Sequence, residues 1–450
     1  MNDMEQQLDS FDPTQRRAAL RALLASGQPL PAPGENVNMH LHSFFSYNAA
    51  GYSPSHLAWE ARRAGLYAAA LCDFDVLDGL EEFLEAGCVV GLRAAANLET
   101  RAYLREFADA EISSPGEPGV TYIMGAGFAR VPQPGTPQAA TLAAYRAQAG
   151  QRNVALVQRI NPHVGAAAID YEADVVPLSP GACPTERHII RAYVNKARAT
   201  LGAGPALVQF WSELLRRPAA DVEKLMANTP AMEERVRARL AKQGGIGYEA
   251  PTPQTFPPVD DFVRWVLACE AIPMATWLDG TSAGEANPTR MLECLRGKGV
   301  CAANIIPDRN WNIADPAARK LKTDKLREFV AVCERLHMPI NIGTEMNKDG
   351  LPFVDDLSGE ALRPYREVFQ RGACVFVGHT VLLRYAGYAY AGARANARFG
   401  ADAGARNRFF ESIGRLPPLT TEVARKLAAI GTGKAFDAID GSAAAGRWRV

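Results

Sequence analysis

Apolar segments typical of buried β-strands alternate with helical segments along much of this chain, and a polar residue follows nearly every one of them. In the first half, such segments end at His42, Asp73 and Glu99. In the second half the same order returns, with predicted strands at 271–276, 300–306, 339–343 and 374–377. This alternation predicts a parallel α/β fold. Polar residues at nearly every strand end favour a (β/α) barrel, in which the loops after the strands converge on one site.

The order of segments also suggests how the chain is divided. Residues 1–36 are predicted to form an N-terminal helical arm, because a helix starting at Asp12-Pro13 ends at a proline-rich stretch. Residues 37–400 form the predicted barrel, with a helical insertion at about 140–256 that returns through a Gly- and Pro-rich linker. Residues 401–450 are predicted as a C-terminal helical tail.

Charge and composition argue against nucleic acid or a membrane as the main partner, although local basic patches remain possible. Lys plus Arg number 49 and Asp plus Glu number 49, so the net charge is zero. A protein whose main partner is nucleic acid or an anionic membrane carries a basic excess, so neither is expected. The sequence shows no signal-peptide pattern, no apolar run of about 20 residues and no CxxC pair among its eight cysteines. Buried free thiols and a cytoplasmic location are therefore expected.

The segment His40-Leu41-His42 carries the sharpest chemical signal. Residues two apart on a strand point to the same face, so both imidazoles can bind one metal ion. The same spacing is also compatible with two hydrogen-bonded polar histidines. Asp73 and Glu99, at two later strand ends, would supply oxygen ligands. Two histidines with two carboxylates suit a hydrolytic Zn²⁺, Mn²⁺ or Fe site.

Five segments together resemble motifs of the PHP (polymerase and histidinol phosphatase) superfamily. They are the histidine pair with a serine four residues on, His40-Leu41-His42-Ser43-Phe44-Phe45-Ser46, then Leu71-Cys72-Asp73-Phe74-Asp75, Asn97-Leu98-Glu99, Glu186-Arg187-His188-Ile189 and Gly343-Thr344-Glu345-Met346-Asn347. The resemblance is strong from about residue 37 to 110 and continues in pieces to about 347. It implies a distorted (β/α)₇ TIM-like barrel that holds up to three metal ions and cleaves phosphate esters.

The sequence departs from the family pattern at grouped positions. The three histidines of one family metal correspond here to Asn48, Phe74 and Asn347. Two histidines of a second metal correspond to Tyr122 and Thr276. The ligand set of the first metal is retained as His40, His42, Glu99 and Glu345. The resemblance therefore implies one divalent ion (Zn, Mn or Fe), or one ion with a weakly bound second ion, rather than three.

Two further groups of residues are assigned from their positions. Asp73 or His188 is the predicted catalytic acid or base, the alternatives being a helix cap and a buried polar contact. Polar residues at strand ends are the predicted substrate-binding groups, with loop salt bridges as the alternative; they are Arg101, Asp279, Asp308, Arg309 and His379. Arg101 ranks first, because arginine binds carboxylate or phosphate in a bidentate manner.

Together these features predict a metal-dependent hydrolase that acts on a small-molecule phosphate ester, or a related ester or amide, through a metal-activated water. The missing ligands leave an alternative open. In that alternative the chain is a catalytically degenerate barrel that binds a ligand or a partner without turnover.

Overall fold

The computed structural model describes residues 3–450, and its centre is one seven-stranded sheet. The strands are β1 (Val37–Leu41), β2 (Ala68–Phe74), β3 (Arg93–Tyr103), β4 (Val120–Ala126), β5 (Ile272–Trp277), β6 (Ala302–Ile305) and β7 (Ile340–Ile342). Neighbours in space follow chain order, and all pairs are parallel except those of β4, which runs antiparallel to β3 and β5. The predicted (β/α)₇-type fold is therefore confirmed, with one reversed strand.

The two edge strands meet at a single point and nearly close the barrel. Glu345, just past β7, forms a parallel bridge with Leu41 of β1. Its backbone N–H donates to the carbonyl of His40 at 2.8 Å, and its carbonyl accepts from the N–H of His42 at 2.9 Å. This contact places the carboxyl ends of β1 and β7 side by side at the mouth of the barrel.

Eighteen α-helices surround the sheet within the described residues. Before β4 they are α1 (Asp3–Gln7), α2 (Pro13–Ala25), α3 (Pro54–Arg63) and α4 (Leu80–Val90). The region predicted as an insertion holds α5 (Pro137–Ile160), α6 (Glu186–Leu201), α7 (Pro205–Leu215), α8 (Ala219–Met226) and α9 (Thr229–Leu240). The barrel resumes with α10 (Val259–Ala268), α11 (Pro288–Gly297), α12 (Asp308–Trp311) and α13 (Pro316–Arg335). The chain ends with α14 (Arg366–Ala386), α15 (Ala393–Phe399), α16 (Ala403–Gly414), α17 (Thr421–Ala429) and α18 (Thr432–Ala445).

The predicted strand at 374–377 is wrong, because these residues lie in the middle of α14. Most of α14 is buried, so its apolar residues surround the helix and show no amphipathic period. The helix packs closely on α16: a Cβ added at Gly378 would collide with the carbonyl oxygen of Phe410. The seventh strand is β4 instead, which the sequence pattern did not identify as a strand.

The apolar residues form separate clusters beneath these elements. The largest fills the barrel and the space under its outer helices and α14. The insertion has its own core, which includes Ile160, Tyr193 and Trp211. The N-terminal arm packs on α3 and α4, where Arg16 and Glu82 form a buried ion pair at 2.5 Å. No helix within residues 3–450 combines the length and the apolar character needed to cross a bilayer.

Candidate metal centre

Three side chains converge inside the mouth of the barrel. His40 is on β1, His42 follows it directly, and Glu99 is on β3; all three are buried. The two Nε2 atoms are 3.3 Å apart, and Glu99 Oε2 lies 3.5 Å from His40 Nε2 and 3.6 Å from His42 Nε2. The two-residue spacing on an extended segment and the adjacent strand thus bring three potential ligand atoms to one point.

The separations of these atoms suit a tetrahedral metal ion. An ion with bonds of about 2.0–2.1 Å to its ligands separates them by about 3.3–3.4 Å. Glu99 Oε2 is buried and has no hydrogen-bond partner, which is costly for a carboxylate oxygen unless a cation binds it. The residues present therefore fit a divalent ion. Within residues 3–450 this is the only group of three or more His, Cys, Asp or Glu side chains arranged to hold one.

Hydrogen bonds at the far side of each ring orient the imidazoles. His42 Nδ1 lies 3.1 Å from Ser46 Oγ, whose proton is donated to Asp73 at 2.7 Å, so Nδ1–H must be the donor to Ser46. His40 Nδ1 lies 3.4 Å from Asn304 Oδ1, which accepts a second hydrogen bond from Asn341. Both rings therefore carry the proton on Nδ1 and direct the Nε2 lone pair into the centre, as metal-binding histidines require.

The electrostatic surroundings shift the pKa values of the two histidines in opposite directions. Burial opposes protonation of both, but Cys72 and Glu99 raise the pKa of His40 well above its usual range. Burial, together with the nearby His40 and Arg187, lowers the pKa of His42 well below that range. Because a metal ion needs neutral imidazoles, cation binding would displace the proton from His40.

Asp73 supports this centre from behind. Its two carboxylate oxygens accept hydrogen bonds from Ser43 N, Ser43 Oγ and Ser46 Oγ, each at 2.7 Å. Burial raises its pKa to about 6, against the effect of these donors. These hydrogen bonds connect Asp73 to the His42 ring through Ser46, which is a positioning contact. The catalytic role predicted for Asp73 stays a prediction.

Glu345 and Arg309 lie at the open side of the centre. Glu345 is held next to His40 and His42 by its backbone, with φ at +63°, a left-handed conformation that costs a non-glycine residue about 1–3 kcal/mol. Its carboxylate is not part of the three-residue group; instead Oε2 pairs with Arg309 Nη2 at 3.4 Å. The structure thus brings Glu345 to the predicted place but turns its side chain toward an arginine.

Three residues at positions where the sequence resemblance implied histidines make other contacts. The Phe74 ring stacks on the His42 ring, with centroids 4.7 Å apart. Asn48 donates to the carbonyl of His42 at 2.8 Å and accepts from the N–H of Ala50 at 2.9 Å, so it shapes the loop. Tyr122 packs near Phe74, with centroids 6.1 Å apart. None of these side chains can supply a histidine-type ligand.

Two predicted residues lie beside the mouth, one on the helical insertion and one on the barrel. His188 is buried at the start of α6, where its Nδ1 accepts from Thr185 N at 3.0 Å, and burial lowers its pKa to about 3. It caps the first turn of α6, which agrees with the alternative of a buried polar contact, and its predicted acid–base role stays a prediction. Arg101 follows Glu99 on the same face of β3 and pairs with Glu117 at 2.8 Å.

Three predicted substrate-binding residues make contacts outside the centre. Asp279 pairs with Lys322 at 2.8 Å, and Asp308 accepts from Asn312 at 2.8 Å, so both have local loop partners. The prediction that His379 follows a strand is wrong, because this residue lies in α14. It packs against Gly127, which follows the antiparallel strand β4 and therefore lies at the barrel end opposite the mouth.

Sequence reasoning missed a set of charged residues that the insertion contributes to the mouth. They are Glu186 and Arg187 of α6, Arg237 of α9 and Lys242 just after it. In the sequence, Glu186 and Arg187 stand out only as neighbours of His188. The strand before Arg237 and Lys242, β4, ends more than a hundred residues earlier in the chain. No sequence pattern therefore indicates that these two residues lie near the barrel mouth.

Comparison with known proteins does not provide a family. No protein-family model matches the chain, and no curated protein matches it. Among solved structures, one described as a metal-dependent phosphoesterase from Bifidobacterium adolescentis is similar at 18% identity and a TM-score of 0.46, over 75% of this chain and 96% of that one. An amidohydrolase from Chromobacterium violaceum, with bound sulfate and no metal, is similar at 16% identity and a TM-score of 0.47, over 74% of this chain and 95% of that one. At such low identity and TM-score, neither similarity bears on the activity of this chain.

Proposed function

We propose that this chain is a metal-dependent hydrolase of small-molecule phosphate esters, and a divergent member of the PHP superfamily with one metal site. The observation that carries the proposal is the group of His40, His42 and Glu99, whose ligand atoms are 3.3–3.6 Å apart, with Glu99 Oε2 unpartnered. A buried, preformed and oriented set of this kind suits a divalent ion better than it suits a structural polar cluster.

The residues around the centre have distinct proposed roles. A bound divalent cation would act as a Lewis acid and lower the pKa of a coordinated water. His40, His42 and Glu99 hold the cation, while Ser46 and Asp73 keep the His42 ring in its tautomer. Arg309 supplies positive charge toward an anionic substrate oxygen. Glu345, whose carboxylate is at the open side, replaces Asp73 as the group that accepts a proton from water.

A catalytically degenerate, ligand-binding barrel is the second candidate. The observation that favours it is the aromatic side of the centre, where Phe74 stacks on His42 in place of a histidine. One cation with few ligands can be held without turnover. A related ester or amide as substrate remains within the first candidate, because the chemistry of the centre does not depend on phosphorus.

The first prediction concerns metal binding by the histidine pair. We expect the purified protein to hold about one divalent ion per chain, and His42→Ala to lose it, because one of three protein ligands is removed. Elemental analysis after dialysis measures the content. The matched control is His163→Ala, which changes an exposed histidine in the insertion.

Melting curves and turnover complete this experiment. Added metal should raise the melting temperature of the parent and of His163→Ala but not of His42→Ala, because a ligand of the folded state stabilises it. Hydrolysis of 4-nitrophenyl phosphate by the parent, lost in His42→Ala, supports the enzyme. Bound metal without hydrolysis of any phosphate ester or amide tested favours the binding module. Equal metal content in the parent and His42→Ala would refute the metal site and with it the enzyme, and content near zero in both would favour the binding module.

A further inference from the structure

A set of cations gathers between the barrel mouth and the helical insertion, beyond the metal centre. Arg101 comes from β3, Arg237 from α9, and Lys242 from the turn after α9. Their side chains keep 28%, 21% and 46% of their surface exposed, so solvent and ligands reach them. Three segments that are distant in the sequence thus bring positive charge to the space between the barrel mouth and the insertion.

Two of these cations share one carboxylate, Glu186, whereas Arg101 pairs with Glu117. Arg237 Nε donates to Glu186 Oε1 at 2.6 Å, and Lys242 Nζ lies 3.1 Å from the same oxygen. Burial opposes ionisation of Glu186, yet Lys242, Arg237 and Arg101 hold its pKa at about 2. The carboxylate therefore sits in a strongly positive local field.

A fourth cation, Arg152, adds to the positive charge of this cluster. Arg152 of α5 and Arg101 both lie over the ring of Phe256, with guanidinium carbons 4.6 Å and 4.4 Å from its centroid. Burial lowers the pKa of Arg152 to about 10, and the neighbouring Arg101 acts in the same direction. Burial likewise lowers the pKa of Lys242, and the nearby arginines add to that effect. Cations that are partly desolvated and repel one another are stabilised by a bound anion.

The register of the sheet places this cluster relative to the metal centre. Arg101 is two residues beyond Glu99 on β3 and points to the same face, roughly 7 Å further toward the mouth. It is paired across the sheet with Tyr122, which also interacts electrostatically with Glu99, Arg237 and Arg309. Tyr122 is therefore close to charged residues of both groups.

We propose that Arg101, Arg237 and Lys242 form a second subsite that binds an anionic group, phosphate or carboxylate, on the leaving side of the substrate. This inference rests on the proposed function and narrows the substrate class to phosphate esters with a second negative charge roughly 7 Å or more from the reacting phosphorus. Glu186 preorganises the subsite by holding two of the cations, and the insertion covers it.

The first arm of the test measures anion binding without chemistry. Inorganic phosphate is titrated calorimetrically into the full chain after a chelator has removed divalent metal. We expect the parent and Lys224→Gln, which neutralises an exposed lysine on α8, to bind phosphate alike. Lys242→Gln and Arg237→Gln should bind it about tenfold more weakly or worse, because a charge-assisted contact is lost. No binding by the parent, or equal binding by all four proteins, would overturn the subsite.

The second arm asks whether the subsite belongs to the substrate. The metal-loaded proteins are given 4-carboxyphenyl phosphate and its neutral amide, 4-carbamoylphenyl phosphate. We expect the parent and Lys224→Gln to prefer the carboxylate by about tenfold in kcat/KM, and Lys242→Gln to lose that preference. An unchanged preference in Lys242→Gln would contradict the inference. If neither ester is hydrolysed while the first arm gives the expected result, the proposed function fails and the anion subsite stands.

Discussion

The contact from Asp73 through Ser46 to His42 gives the sharpest prediction about how the metal centre is built. Ser46 Oγ lies 3.1 Å from His42 Nδ1 and 2.7 Å from Asp73, and Ser46 is fully buried. Ser46→Ala leaves the His42 N–H without an acceptor and frees the ring to turn or change tautomer. Loss of such an outer partner lowers metal affinity 10- to 100-fold, or by about 1.4–2.8 kcal/mol.

Ser43 provides a matched control for this substitution. It is equally buried and its hydroxyl also donates to Asp73 at 2.7 Å, but it makes no hydrogen bond to the His42 ring. Each alanine variant removes one hydrogen bond to the Asp73 carboxylate, so we expect each to lose about 1.5–3 kcal/mol of unfolding free energy. Only Ser46→Ala should also lose metal affinity.

Competition with a chromophoric chelator for Zn²⁺ or Mn²⁺ measures the affinity, and urea denaturation of the metal-free proteins measures the stability. The reasoning is refuted if Ser46→Ala binds metal as tightly as the parent. It is also refuted if Ser43→Ala weakens metal binding as much as Ser46→Ala does, because the effect would then come from Asp73 or from general loosening of the loop.

Two further predictions concern stability away from the centre. Asp355 is buried with both oxygens unpartnered, and burial raises its pKa from 3.8 to about 8. The folded chain therefore retains a proton that the unfolded chain releases, so the stability due to this group is complete below about pH 4 and is lost as the pH rises to about 8. Asp355→Asn should flatten that dependence and be more stable at pH 8.5, by up to about 5 kcal/mol in urea denaturation; identical pH profiles would contradict this. Arg16→Ala should cost about 3–5 kcal/mol, because it leaves the Glu82 carboxylate buried without an opposite charge and with only the hydrogen bonds from Ser55. Arg17→Ala, which changes an exposed pair at 3.7 Å, should cost less than about 1 kcal/mol in the same assay.

Local sequence patterns were sufficient for most of the barrel and for the histidine pair. The alternation of apolar segments with capped helical segments predicted six of the seven strands. This was possible because each such pattern lies within about ten consecutive residues. The spacing of His40 and His42 is likewise local, since an extended segment alone directs both rings to one face. Glu99 could be added to the predicted ligands because it follows the third predicted strand, which corresponds to β3.

Other features depended on contacts between distant segments. The apolar residues of α14 have no period that distinguishes a buried helix from a strand, so only the closed barrel shows that His379 is far from the mouth. The hydrogen bonds from Ser43 and Ser46 to Asp73, and the turn of Glu345 toward Arg309, are decided by side-chain geometry across different strands. The sequence by itself determined which residues could bind a metal. Which of them face one another, and which cations the insertion brings over them, was decided by the tertiary structure, because those distances depend on how segments hundreds of residues apart pack together.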